Sequence, residues 1–256
     1  MNKLICPICK TEIMHKEKVV YCVNNHSFDQ AKSGYINLLV GKKPTGDNAM
    51  MAKARADFLE KDYYHVLRDY LKEFTKDYAC TLDLACGEGY YTRSFSSKEV
   101  YGFDLSKEAI LYASKKDKSA HYGIASIFDL PIQSNSMDLV TELFAPVPAQ
   151  EVVRVLKKEG IFLLVSPGPY HLFELKQAIY DTPYLNEYLK VELPLTPYKT
   201  LTLKDKVHIT SNEEIEALFK MTPYYYKTSK KDQDKLHAIN ELDVTVEFYV
   251  QLFKKD

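Results

Sequence analysis

No apolar run in this 256-residue chain approaches the ~20 residues that a membrane helix needs. The start, Met1-Asn2-Lys3-Leu4-Ile5-Cys6, has no apolar leader segment, so a cytoplasmic protein without a membrane partner is expected. Charge of one sign is missing too: the formal net charge is −1, so no global basic field announces nucleic acid. Cysteine is sparse. Five residues, three of them at positions 6, 9 and 22, fit a reduced protein with a metal site better than a disulfide scaffold. Internal repeats and low-complexity linkers are absent. So is the three-glycine fingerprint of dinucleotide folds, because Ala85 stands where an earlier glycine would serve.

What is present begins with an uneven charge. Residues 1–45 hold seven Lys and no Arg against three acidic residues, a net of +4, which leaves −5 for the rest. Within that basic stretch Cys6, Cys9, Cys22 and His26 are spaced C-x2-C-x12-C-x3-H. Two thiolates on one tight turn and a Cys/His pair on a second supply four ligands for tetrahedral Zn²⁺. With all four positions filled by protein, the ion is structural, since a catalytic zinc keeps one position open. About 45 residues bury too little apolar surface to fold alone, so a metal is physically needed. His15 is a weaker substitute ligand. Val19-Val20-Tyr21 reads as a short strand, and Phe28, Tyr35, Ile36, Leu38 and Leu39 can seat this module on a larger domain.

The stretch Thr81-Leu82-Asp83-Leu84-Ala85-Cys86-Gly87-Glu88-Gly89-Tyr90-Tyr91-Thr92 reads as a buried strand, a glycine turn and a helix starting at Tyr90. Such a unit builds a crevice beyond the carboxyl ends of an α/β sheet. Residues 82–89 resemble motif I of the class I S-adenosylmethionine (SAM) methyltransferases. That resemblance implies a cofactor site formed by Asp83, Ala85, Gly87, Gly89 and Tyr90. Glu99–Asp104 reads as the next strand; Asp104, with Leu105 beside it, lies where this fold holds a carboxylate against the ribose hydroxyls. Ser126 and Ile127, after a strand at residues 120–125, resemble the loop that grips adenine, with Ser126 where relatives often have Asp. Arg55, on a helix within residues 47–74 whose stripe is Met50, Ala54 and Phe58, is a candidate for the SAM carboxylate or RNA phosphate.

The cysteine and histidine set, His26-Ser27-Phe28-Asp29, Gly34-Tyr35-Ile36-Asn37-Leu38-Leu39, Gly46-Asp47 and residues 50–59 together resemble the 23S ribosomal RNA (guanine-N1)-methyltransferase family. The resemblance continues through motif I to Met221-Thr222-Pro223. It implies a zinc-binding RNA-recognition module at 1–45 and a methyltransferase domain at 46–256, acting on a guanine in a 23S rRNA hairpin loop. The expected fold is α/β, a Rossmann-like sheet of seven strands with the last antiparallel, plus the small zinc-binding β module. Glu142 and Asp47 are the candidates for removing the N1 proton. Phe144, ending a strand at residues 137–144, and Pro146 are expected from the resemblance to face the acceptor. Strands are also expected at 160–166, 207–209 and 244–250, a helix capped by Ser211 at 213–220, and an irregular insertion at 181–206. Tyr224, Tyr225 and Tyr226 cannot all be core, so one or more is expected to stack on RNA. A homodimer is a further expectation. A small-molecule, quinone-type methyltransferase and a catalytically silent zinc/RNA-binding protein remain alternatives.

Overall fold

The computed structural model describes residues 3–16, 19–41 and 49–256, with the side chains of Lys16 and Ala49 excepted. At the N-terminus β1 (Ile13–Lys16), β2 (Val19–Cys22) and β3 (Ser27–Asp29) form a small antiparallel sheet in the order β1-β2-β3. Val20 points inward and is fully buried.

The main sheet is built around β5 (Cys80–Leu84), which is buried at every position, as an apolar run in a sheet covered on both faces must be. Parallel to it run β6 (Glu99–Asp104), β7 (His121–Ile124), β8 (Met137–Leu143) and β9 (Leu156–Pro167). The long β11 (Leu242–Lys254) lies antiparallel between β9 and the edge strand β10 (Thr196–Ile209). On the opposite edge β4 (Ile36–Asn37) adds in parallel to β7. The order is therefore β10-β11-β9-β8-β5-β6-β7-β4, eight strands where seven were expected. The extra strand is donated by the N-terminal module. Two residues are too few to show a period of two, so sequence pattern could not reveal it.

The chain alternates residues between the two sheet faces. Leu163, Val165 and Phe248 meet Phe58 of α1 (Ala49–Leu59), Leu67 and Leu71 of α2 (His65–Phe74), Leu175 of α5 (Phe173–Ile179) and Ile215 of α6 (Asn212–Lys220). Leu82, Leu84, Phe162 and Leu164 meet Val152 of α4 (Ala149–Val155), Leu195, and Leu4, Val20 and Ile36 from the module. A third cluster joins Tyr35 to Ile110 and Ala113 of α3 (Lys107–Lys116).

The module is also joined through its backbone. Leu38 N–H donates to Ile124 O at 2.9 Å, Ile5 N–H to Pro131 O at 3.0 Å and Gln133 N–H to Lys3 O at 2.9 Å. It is thus stitched to β7 at one place and to the loop between β7 and β8 at another.

Three expectations need correction. No α-helix follows the glycine turn; only a 3-10 turn forms at Thr92–Ser94, because residues 85–98 must return to β6 and Tyr91 folds edge-on against Tyr90. Residues 196–206 are not irregular but belong to β10, an edge strand whose exposed Lys and Thr positions conceal its alternation. Met50 is exposed, and α1 packs instead between α6 and α3 through Ala52, Ala54, Ala56 and Phe58. Ser211 does cap α6, accepting from Glu214 N–H. Of the three tyrosines, Tyr224 and Tyr225 pack inward and Tyr226 is exposed.

Candidate active site and metal centre

β5 delivers the chain to a crest at the carboxyl edge of the sheet. Ala85, Gly87 and Gly89 all turn left-handed, with φ of 52°, 55° and 78°. At Gly89 a Cβ would come within 2.9 Å of both Ala113 Cβ and Tyr122 Oη, so a side chain there is excluded by space as well as by φ. Ala85 accepts the strain that a non-glycine residue meets in this region, about 1–2 kcal/mol.

Two acids fix the turn. Asp83 is buried, and its two oxygens accept from Thr92 Oγ1 at 2.6 Å and Thr141 Oγ1 at 2.7 Å. Burial, only partly offset by these hydroxyls, pushes its pKa up to about 6. Asp104, at the end of β6, accepts from Gly87 N–H at 3.0 Å and from Ser106 N–H at 2.7 Å. The N-cap of α3 is Ser106, not Asp104, which leaves Asp104 on the crest beside half-buried Leu105. Past the end of β7, Ser126 Oγ accepts from Phe128 N–H at 3.2 Å and Ile127 is buried.

Tyr90 is turned away by its hydroxyl, which donates to Asp62 Oδ1 at 2.7 Å, with the Arg93 guanidinium over its ring at 5.3 Å. Arg55 is half-buried, and its Nη1 lies 4.0 Å from where a Cβ on Gly87 would be. The expected cofactor residues therefore converge on one crest, except Tyr90, which is buried in the core with its ring covered by Arg68 and Arg93.

At the end of β8, Glu142 sits in register with Leu84. It is wholly buried: Oε1 accepts from Ala145 N–H, and Oε2 has no hydrogen-bond partner. Burial pushes its pKa up to about 8, opposed by that N–H and reinforced by Asp83. Phe144, two residues on and left-handed at φ 63°, has 43% of its surface exposed and its ring 5.9 Å from that of Phe248. Asp47, the other proton-acceptor candidate, lies outside the described residues. Sequence reasoning missed Glu88, which is buried between the two glycines with Oε2 unpartnered and a pKa raised to about 7 by burial. A Glu inside a glycine turn carries no signal of its burial. Thr92 and Thr141, the partners of Asp83, were also missed.

The metal centre is two matching turns. Cys6 N–H donates to Thr11 O and Lys10 N–H to Cys6 O, each at 2.8 Å, with Lys10 at φ 60°. Cys22 N–H donates to His26 O and Asn25 N–H to Cys22 O, each at 3.0 Å, with Asn25 at φ 61°. Cys9 Sγ is 3.5 Å from Cys22 Sγ, and His26 Nδ1 is 3.5 Å from both Cys6 Sγ and Cys22 Sγ. A tetrahedral Zn²⁺ with bonds of about 2.3 Å to sulfur and about 2.0 Å to nitrogen needs ligand spacings of roughly 3.5–3.8 Å. The four residues fit that ion. The Cys9 thiol is brought down to about 5, chiefly by the Thr11 hydroxyl, which favours the ligating thiolate. His15 is exposed on β1, opposite Val20 and outside the cluster.

A glycine turn closing the first of several parallel strands, an acid ending the next and an antiparallel strand inserted near the far edge define a class I SAM-dependent methyltransferase. A methyltransferase-domain family model matches residues 82–164, and one described as RlmA, N-terminal, a zinc ribbon, matches residues 4–44. The crystal structure of the YcgJ protein from Bacillus subtilis shares the fold, with a TM-score of 0.50 at 18% identity over 76% of this chain and 100% of that one. The 23S rRNA (guanine(748)-N(1))-methyltransferase of Streptomyces fradiae is 30% identical over 190 residues, 69% of this chain and 67% of that protein. A putative 23S rRNA (guanine-N(1)-)-methyltransferase of Bacillus subtilis is 27% identical over 263 aligned positions, 94% of this chain and 93% of that protein. This chain belongs to the 23S rRNA (guanine-N1)-methyltransferase family. Among the described residues no helix is long and apolar enough to cross a membrane.

Proposed function

We propose that this protein methylates N1 of a guanine in a hairpin loop of 23S rRNA, in the cytoplasm, with SAM as donor. The observation that carries the reading is a Cys3His metal cluster stitched by backbone hydrogen bonds to a methyltransferase sheet. A small-molecule methyltransferase would leave that module without a role.

SAM, when bound, supplies an electrophilic methyl group. The chain supplies alignment and removal of a proton. Asp104, placed at the end of β6 by the Gly87 and Ser106 N–H groups, takes the ribose hydroxyls. Ser126 and Ile127 flank the adenine, and Ala85, Gly87 and Gly89 bring backbone close to the methionine end. Phe144 stacks on the splayed guanine, whose N1 is inaccessible while paired. Glu142, whose pKa of about 8 leaves only an ionised fraction near neutral pH, takes the N1 proton on Oε2 from that fraction as the Phe144–Pro146 turn opens. The lysines of residues 1–45 meet the phosphates, and the zinc ion holds the module in shape.

The test is a methyl-transfer assay on 23S rRNA fragments with base-level mapping. Modification of one loop guanine at N1 is the expected result. Equal methylation of a perfectly paired stem, or transfer to small molecules in place of RNA, would overturn the reading.

A further inference from the structure

Beneath the glycine turn lie two buried polar groups that the assignments so far do not use. Glu88 is about as buried as a core leucine, yet its Oε2 has no hydrogen-bond partner. The hydroxyl of its neighbour Tyr91 is likewise buried and unpartnered. Orphaned polar atoms inside a protein are uncommon and costly, and two within four residues of chain call for an explanation. Arg55 brings a guanidinium from α1 to the same turn, against the bare Cα of Gly87. The turn thus has a carboxylate, a phenolic O–H and a guanidinium around the place where this fold puts the amino-acid end of its cofactor.

An α-amino acid presents an ammonium and a carboxylate a few ångströms apart. Its carboxylate suits Arg55 and the Tyr91 O–H; its ammonium needs an anionic acceptor. Asp83 is the obvious acid by sequence, but each of its oxygens already has a threonine hydroxyl, from Thr92 and from Thr141 of β8, whereas Glu88 Oε2 has none. Asp104 is held by Gly87 and Ser106 on the ribose side. Glu88 is left. Among groups facing it, Arg55 and Arg93 oppose the rise in its pKa and Asp104 adds to it, while burial dominates. A site of that kind gains from an arriving cation.

We infer that Glu88 Oε2 is the acceptor for the ammonium group of the cofactor's methionine moiety, and that Glu88 with Arg55 and Tyr91 reads this zwitterion. The inference rests on the SAM reading of this site and adds a specificity-determining side chain to it.

The test uses calorimetry with S-adenosylhomocysteine and with its analogue lacking the α-amino group, on the full zinc-loaded chain and on Glu88→Gln. The wild-type chain should prefer the amino compound by about tenfold or more, the usual weight of a hydrogen bond to a charged group. Glu88→Gln should lose that preference while binding the des-amino analogue as the wild type does. Equal affinity of the wild-type chain for the two ligands overturns the inference without any variant. Equal weakening of both by Glu88→Gln also overturns it, since that marks a structural role. No binding of either ligand by the wild-type chain would instead remove the SAM reading itself, and this inference with it.

Discussion

Asp104 holds the Gly87 and Ser106 N–H groups on one carboxylate, so it sets the gap between the ends of β5 and β6 before any ligand arrives. Asp104→Ala should weaken SAM binding by about 1.5–3 kcal/mol, and calorimetry showing unchanged affinity would remove the ribose assignment. Glu142 makes a different prediction, about pH. Its pKa lies at about 8 instead of the usual 4.5, so the folded chain keeps a proton that the unfolded chain releases. The stability this gives is complete below pH 4.5 and is lost as pH rises to about 8, at up to ~1.4 kcal/mol per unit. Asp83 and Glu88, raised to about 6 and about 7, act in the same direction. Glu142→Gln stays neutral and should flatten part of that decline; identical urea-unfolding slopes between pH 5 and pH 8 would count against the burial argument. Its turnover on rRNA should fall sharply as well. At this scale the metal ligands were legible because zinc imposes spacing on sequence. Glu88 was not, because burial and the lack of a partner are properties of the surroundings, not of the residue.

Elements were legible where hydrophobic runs are long and central, as in β5, β8 and β9, and illegible at the edges. β10 pairs on one side only and exposes alternate Lys and Thr side chains, so its sequence looks like a loop. The segment between α5 and β10 has no regular structure and is held by polar anchors. Lys176, wholly buried on α5, donates to Asn186 Oδ1 at 2.6 Å and Tyr184 O at 3.1 Å, with its ammonium 4.1 Å from the centre of the Tyr184 ring. Asn186 Nδ2 in turn donates to Gly168 O and His171 O, tying the segment to the loop after β9. Lys176→Met keeps the bulk and removes these bonds. It should cost about 2–3 kcal/mol and open the segment around residues 181–195 to proteolysis; an unchanged cleavage pattern would show that other contacts hold it.

Residues 1–45, which hold the metal ligands, carry a net +4 against −5 for the rest, yet β4 and the backbone bonds of Ile5 and Leu38 tie them to the methyltransferase fold. Cys22→Ser should abolish rRNA methylation and reduce the salt dependence of RNA binding, since phosphate contacts release counterions. SAM affinity should change by only about threefold, because β4 supports β7 and so the Ser126–Ile127 loop, while the hydrogen bonds of Asp83 and Asp104 fix the glycine turn. Loss of SAM binding with RNA affinity retained would reverse the assignment of roles. The junction itself was only half legible: the apolar residues 35–39 announced a seat, but nothing in their pattern announced a strand. That strand has one more consequence. While Ile36 and Asn37 are in place, the outer rim of β7 is occupied. A chain stripped of its metal bares the N–H and C=O groups of that rim, and another chain in the same state offers the matching surface. Zinc deprivation should then appear first as self-association that steepens with protein concentration, measurable by light scattering, before any loss of the catalytic fold. The ion that these 3.5 Å-spaced ligands are built to hold would in that sense guard a sheet edge as well as support activity.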